Sequence, residues 1–245
     1  MDESLKALEN GARLAGDKGL TRFTRFLDPA EAAQALQLAR TYCASFSQFG
    51  GYDGAERVIG CFHPAEETIS DCEYPLVCLH STYSAKFCSI SHRDLLGAFM
   101  SLGLTRSCIG DMIISGADIY LFAHASTAVY IAEAMTSAGK APLRFKVLDV
   151  IPCMPEPEGT RFSAVVSSLR LDAVLAAGYH LSRSEAQEAI RSGSVKVNHI
   201  LCDRVDFAVA EGTLLSLKGN GRVRLTSVDG LTRKQRIGIS LFRYG

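Results

Sequence analysis

Pro152, Pro155 and Pro157 stand within the nine residues Ile151-Pro152-Cys153-Met154-Pro155-Glu156-Pro157-Glu158-Gly159. A proline lacks the amide donor and pushes the residue before it into extended backbone, so neither a helix nor a central strand can run through this stretch. The chain therefore divides here, with an extended linker expected over 151–162. Charge changes sign across the break. Residues 1–159 carry 13 basic and 19 acidic side chains, a balance of −6, whereas residues 160–245 carry 13 basic and 7 acidic, a balance of +6. A net charge of zero thus conceals a basic C-terminal third, the usual footprint of a polyanionic partner.

The 245 residues are 47% hydrophobic and 21% charged, enough apolar surface for a buried core and too much for a collagen or a wholly disordered chain. No run of roughly 18 apolar residues occurs, so no membrane-spanning helix and no membrane partner are expected. The opening Met1-Asp2-Glu3-Ser4-Leu5-Lys6 has no apolar signal region, and a cytoplasmic location is the expectation. Eight cysteines never form a Cys-x-x-Cys pair and sit mostly in apolar runs such as Val77-Cys78-Leu79. They read as reduced, small hydrophobes, with no metal and no cofactor expected.

Three regions follow: an N-terminal α+β segment over 1–72, a middle α+β domain over 73–150, and a C-terminal unit over 163–245. In the first, a polar, glycine-containing start leads to Asp28-Pro29-Ala30-Glu31, an N-cap, a first-turn proline and an N3 acid, which open a helix over 29–43. Strands are expected over Ser45–Phe49 and Val58–Phe62, joined by the Gly50-Gly51-Tyr52-Asp53-Gly54-Ala55-Glu56-Arg57 turn. In the middle domain, strands are expected over Leu76–Ser81, Lys86–Ile90, Asp111–Ser115, Ile119–Ala123 and Leu143–Leu148. One helix opens at Ser91-His92-Arg93-Asp94, and a second carries Ala128, Ile131, Ala132 and Met135 up to Gly139. That order implies an α+β sandwich with both helices on one sheet face.

His92-Arg93-Asp94-Leu95 matches the start of a kinase catalytic loop, but Phe99 stands where a metal-binding Asn is required, and no nucleotide loop accompanies it. No phosphate loop, nucleophile elbow or zinc-protease helix occurs.

The C-terminal unit is the most specific. Arg170-Leu171-Asp172 opens a helix, Ser182-Arg183-Ser184-Glu185 caps a second that ends at Gly193, and Val195-Lys196-Val197-Asn198 starts a hairpin whose return strand is Glu211–Leu217. Two helix N-termini with unsatisfied amides, each beside an arginine, form a natural phosphate site. Positive side chains at the positive end of a helix dipole are locally unfavourable unless an anion arrives. The competing expectation pairs Arg170 with Asp172 and Arg183 with Glu185 or Glu188 as surface ion pairs. Farther on, Arg222 and Arg224 share a strand face, and Arg233, Lys234 and Arg236 extend a basic strip.

These blocks resemble the S4 RNA-binding domain. Two departures are His199 where that pattern has a turn glycine, which implies a wider loop than a type I′ turn, and Thr213 in place of an Asp. The whole chain resembles the YlmH family of bacterial S4-domain proteins, through the Phe26–Pro29, Phe49–Arg57 and His92–Ala98 blocks, Leu102-Gly103-Leu104, Gly110-Asp111 and Ser167–Asp172. The resemblance implies a non-enzymatic RNA binder in ribosome-associated quality control, contacting large-subunit ribosomal RNA and tRNA, with no DNA partner. The RNA contacts it implies are Arg170, Asp172, Ser182, Arg183, Ser184, Gln187, Lys196, Asn198, Arg222 and Arg224, with secondary contacts at Tyr52, Arg57, His92 and Arg93. Two other classes stay open: an RNA-modifying enzyme with an S4 targeting arm, and a protein scaffold linked to cell division.

Overall fold

The computed structural model describes residues 3–155, 159–231 and 235–244, and the chain divides into two compact units, Met1–Pro155 and Glu156–Gly245.

The first unit begins with α1 (Glu3–Lys18), followed by β1 (Arg22–Leu27), α2 (Pro29–Thr41), β2 (Ser45–Phe49) and β3 (Val58–His63). The three strands form one antiparallel sheet ordered β1-β3-β2. Asp28 caps α2 as expected, its carboxylate accepting from Ala30 N and Glu31 N at 2.9 Å while Glu31 reaches back to Asp28 N at 2.8 Å. The polar start of the chain is helical, with Leu8, Ala12 and Ala15 buried against α2 and β3. Gly16 permits that packing, since a Cβ there would lie 1.8 Å from the Tyr42 carbonyl oxygen.

Next come β4 (Leu76–Thr82), α3 (His92–Ser101), β5 (Ile109–Ser115), β6 (Asp118–His124), α4 (Ala125–Ala134), the short hairpin β7 (Ser137–Ala138) and β8 (Ala141–Pro142), and β9 (Lys146–Val147). The main sheet runs β5-β6-β4-β9, antiparallel throughout. Strand alternation divides its two faces. Leu79, Ile119 and Leu121 pack under Leu95, Phe99 and Ile131, so both helices lie on one face as expected. Cys78 and Phe122 point the other way, onto Phe26, Ile59 and Cys61 of the first sheet. The expected boundary near residue 72 therefore falls inside one compact unit.

Three local expectations are corrected. Lys86–Ile90 is not a strand: the Ser84 carbonyl accepts from Phe87 N and Cys88 N at 3.1 and 3.2 Å, a turn, and Phe87 is exposed. The second helix ends at Ala134, and Gly139 instead turns the β7–β8 hairpin. The expected strand Leu143–Leu148 is reduced to Lys146–Val147.

The second unit contains β10 (Gly159–Val166), α5 (Leu171–Tyr179), α6 (Arg183–Arg191), β11 (Val195–Val197), β12 (Ile200–Leu201), β13 (Leu214–Leu217), β14 (Gly221–Leu231) and β15 (Ile237–Tyr244). Its single antiparallel sheet is ordered β10-β15-β14-β13-β11-β12. Residues 159–162, expected as linker, belong to β10 and pair with β15. One sheet face carries Val195, Leu215, Leu217, Val223, Leu225 and Leu241 against the apolar sides of α5 and α6. Among the described residues, no helix of this unit packs on the other face.

The β11–β12 turn corrects another expectation. Lys196 pairs with Leu201 and Val197 with Ile200, leaving Asn198-His199 as a two-residue loop with φ of +47° and +69°. Positive φ at both positions is the type I′ pattern, retained without glycine. Asn198 anchors it, donating from N to the Leu214 carbonyl and accepting from Leu214 N at Oδ1, both at 2.8 Å.

Candidate nucleic-acid interface

The helix side of the second unit centres on Asp172, whose side chain is completely buried. Arg170 Nε donates to Oδ1 at 3.3 Å, Arg183 donates from Nε to Oδ2 at 3.1 Å and from Nη2 to Oδ1 at 3.3 Å, and Gln187 Nε2 donates to Oδ2 at 2.8 Å. Burial alone would raise the Asp172 pKa, yet the hydrogen bonds from Arg183, Gln187 and Arg170 outweigh it and hold the carboxyl below its ordinary range. Asp172 thus belongs to the interior and offers no atom to a ligand, correcting its expected place among the contacts. Arg183 pairs with this aspartate rather than with Glu185 or Glu188.

The anticipated unsatisfied amides at the α5 start are also corrected. Leu171 N donates to the Phe207 carbonyl at 2.8 Å and Asp172 N to that of Val205 at 3.2 Å. At α6, Ser182 and Glu185 form the expected capping box: Glu185 N donates to Ser182 Oγ at 3.2 Å and Ser182 N to Glu185 Oε2 at 2.7 Å. What this side presents is guanidinium. Arg170 and Arg183 keep 43% and 49% of their side-chain surface exposed, and the two cations share the one buried carboxylate of Asp172. The clasp fixes both side chains in advance, which lowers the ordering cost of binding an anion. Ser182 and Ser184 lie exposed beside them.

Lys196, Arg222 and Arg224 are elsewhere. Cross-strand register places Lys196 opposite Ser216 and Ser216 opposite Arg222, while Arg224 faces Leu214 on one side and Phe242 on the other. All three project from the sheet face opposite α5 and α6, so the expected contacts divide into two separate surfaces. Asn198 has its backbone amide and its side-chain oxygen engaged in holding β13. Of the basic strip, Arg233 and Lys234 lie outside the described residues, and Arg236 is exposed.

In the first unit, the Gly-Gly-Tyr block is a structural seam. Asp111 accepts from Tyr52 OH at 2.8 Å, Glu56 N at 2.7 Å and Arg57 N at 3.2 Å. Arg57 then donates to the carbonyls of Ile109, Phe26 and Arg106 at 3.1, 3.2 and 3.3 Å. Burial raises the Asp111 pKa, opposed by those hydrogen bonds, and burial with the nearby Arg57 charge lowers that of Arg106 to about 10. Tyr52 and Arg57, both half-buried, join the two sheets through these bonds. His92 and Arg93 are exposed on the first turn of α3.

Residues 70–151 match the family described as "Putative RNA-binding domain in YlmH", and residues 169–215 match the S4 domain. Over 232 residues the chain is 34% identical to the Ribosome-associated protein quality control protein P2 of Bacillus subtilis (strain 168), covering 94% of this chain and 90% of that protein. The chain belongs to the YlmH family. A solved structure titled Cell division protein ylmH from Streptococcus pneumoniae aligns with TM-score 0.51 at 19% identity, covering 59% of this chain and 88% of that one, a likeness of fold.

In this YlmH-family chain, sequence reasoning missed Tyr179, Arg161, Phe242, Arg243 and Tyr244. Tyr179 OH donates to the carbonyls of Leu215 and Gly221 at 3.0 and 2.9 Å, and burial pushes its pKa up to about 12. Arg243 stands 5.7 Å from its ring centroid. A strand alternation of aromatic and basic residues in Leu241-Phe242-Arg243-Tyr244 was the available signal.

Proposed function

We propose that this chain is a non-enzymatic, cytoplasmic RNA-binding protein of ribosome-associated quality control, engaging ribosomal RNA and tRNA on the large ribosomal subunit. The observation carrying this reading is the pair of half-exposed arginines, Arg170 and Arg183, held from below by one buried aspartate that they share. A phosphate reaching this face meets guanidinium groups already oriented, and charge-assisted contacts form with little side-chain ordering. Ser182, Ser184 and Gln187 border the same place. Phosphate contacts of this kind set affinity and register, while sequence choice needs base-edge groups. The relationship to a protein named for ribosome-associated quality control supports the cellular setting.

The test is sedimentation of the tagged chain from cell extract through a sucrose gradient. Co-migration with large subunits that is abolished by ribonuclease is the expected result. Migration indifferent to ribonuclease overturns the reading in favour of a protein scaffold, and covalent change in incubated RNA, read by mass mapping, overturns it in favour of a modifying enzyme.

A further inference from the structure

The outer face of the second unit's sheet carries a different arrangement of charge from the helix side. Strand register lines up two rows. In the first, Lys196, Ser216 and Arg222 lead to Tyr244 at the end of β15; in the second, Leu214, Arg224, Phe242 and Arg161 lie side by side across four strands. The cations are placed over rings. Arg222 and Arg224 stand 5.0 and 6.0 Å from the Tyr244 centroid, and Arg161 stands 6.0 Å from that of Phe242, which meets Tyr244 edge to face. Among the described residues Arg224 and Lys196 have no carboxylate partner, and Arg224 Nε is buried without a hydrogen bond. Arg170 and Arg183, by contrast, are partly neutralised by Asp172. The acid at the far end of the face, Asp229, is engaged by the hydroxyls of Ser227 and Ser240 at 2.6 and 2.9 Å.

We propose that this outer face is a second RNA site, which takes an unpaired strand by stacking bases on the arginine–tyrosine layer and neutralising its phosphates with Arg161, Arg222, Arg224 and Lys196. The inference rests on the RNA-binding reading above and extends it to a surface on the other side of the sheet. Base planes stack on aromatic rings and on guanidinium planes alike, and a cation held over a ring presents both a flat surface and a charge. A duplex hides its base faces, so this layer, in which Phe242 is buried beneath the partly exposed Arg222, Arg224 and Tyr244, favours unpaired nucleotides. Arg161, Arg222, Arg224, Phe242 and Tyr244 all lie outside the S4 match at 169–215, so most of the site belongs to strands added around that domain, with Lys196 contributed from within it. With helix-side and outer-face cations on opposite sides of one sheet, the unit can hold two RNA segments at once.

The chain has no tryptophan, so Tyr244→Trp installs a single reporter on the proposed site. Titration of the full chain with fluorescein-labelled twelve-nucleotide oligoadenylate is followed by tryptophan emission and by anisotropy of the RNA. Quenching that tracks the anisotropy is expected, and Arg222→Gln/Arg224→Gln in the same background weakens binding about tenfold and flattens the log–log salt dependence by roughly 1.4 units. An anisotropy rise without quenching overturns the outer-face site and leaves RNA binding on the helix side intact. No anisotropy change at all overturns both readings. Equal quenching by oligoglutamate overturns RNA as the occupant and points to an acidic protein segment. The emission change is read on a chain with its arginines in place, so it does not depend on the charge variant folding.

Discussion

Arg183 reaches from α6 to grip the Asp172 carboxylate of α5 at two points, Nε to Oδ2 at 3.1 Å and Nη2 to Oδ1 at 3.3 Å. The residue that most invites an RNA role is therefore also a structural tie between the two helices. Truncating it leaves a completely buried carboxylate with only Arg170 and Gln187. Breaking a buried ion pair costs about 3–5 kcal/mol, and the half-exposed guanidinium, where water can re-enter, lowers the expectation for Arg183→Ala to about 2–3 kcal/mol. Arg170 supplies one longer bond, so Arg170→Ala is expected to cost about 0.5–1.5 kcal/mol. Hydrogen exchange of the α5 and α6 amides reads this unit by itself, and equal loss of protection in the two variants would contradict the asymmetry. RNA affinity is consequently cleaner to test at Arg170 than at Arg183.

Asp172, buried, and Asp111, half-buried, respond to pH with opposite sign. Asp172 has a lowered folded pKa, so its contribution is fully present above the unfolded value of about 3.9 and is lost as pH falls through the folded one. Asp172→Asn should flatten the acid limb of stability for the second unit. Asp111 has a raised folded pKa, so its contribution is greatest below about 3.9 and is lost as pH rises through the folded value. Asp111→Asn should remove that decline from the first unit, while still destabilising it, because an amide cannot accept at both ends from Tyr52, Glu56 and Arg57. Exchange-monitored stability between pH 3 and 7 checks both signs. Changes of slope with the same sign in the two variants, each relative to the unsubstituted chain, would refute the assignment.

Gly51 sets the seam of the first unit. Its φ is +100°, and a Cβ there would stand 2.4 Å from two atoms of the Phe122 ring. The ring is buried and stacked on Tyr52 at 5.2 Å between centroids, so it has nowhere to withdraw. Gly51→Ala combines backbone strain with overpacking and is expected to cost about 2–4 kcal/mol. Gly54, also at positive φ but facing open space, is the control, and its Ala variant should lose only the backbone part. Urea denaturation followed by circular dichroism separates the two, and equal losses would show that the ring contact contributes nothing.

What was legible in the sequence was local. Asp28, Ser91 and Ser182 announced three helix starts because a capping box is written within four residues. The first helix was hidden because its packing uses alanine and glycine: Gly11 and Gly16 sit against Phe62 and Tyr42, and a helix that buries small residues lacks the large apolar stripe that periodicity detects. Lys86–Ile90 has strand-like composition without a partner strand, and β propensity has little force without cross-strand packing. The site was half visible for the same reason. Arg170 and Arg183 could be named from motif, but their meeting at Asp172 depends on how α5 lies against α6. The arginine–tyrosine layer depends on β14 pairing with β15, which no local pattern encodes.

The Asn198-His199 turn offers the last test. Both residues hold positive φ, and a left-handed conformation costs a non-glycine residue roughly 1–2 kcal/mol, less for Asn, whose side chain bonds locally. Asn198 is compensated by its pair of bonds to Leu214, so the strain falls mainly on His199. Glycine relieves it but loses more entropy on folding and gives up the imidazole's own interaction, so His199→Gly is expected to change stability by no more than about 0.5 kcal/mol. Asn198→Gly removes the Oδ1 acceptor for Leu214 N and should be destabilising by about 1 kcal/mol despite the easier backbone. The measurement is exchange protection of the Leu214 and Val197 amides in each variant. A gain at both positions, or an equal loss at both, would show that backbone conformation and the Asn198 side chain do not divide the turn in this way.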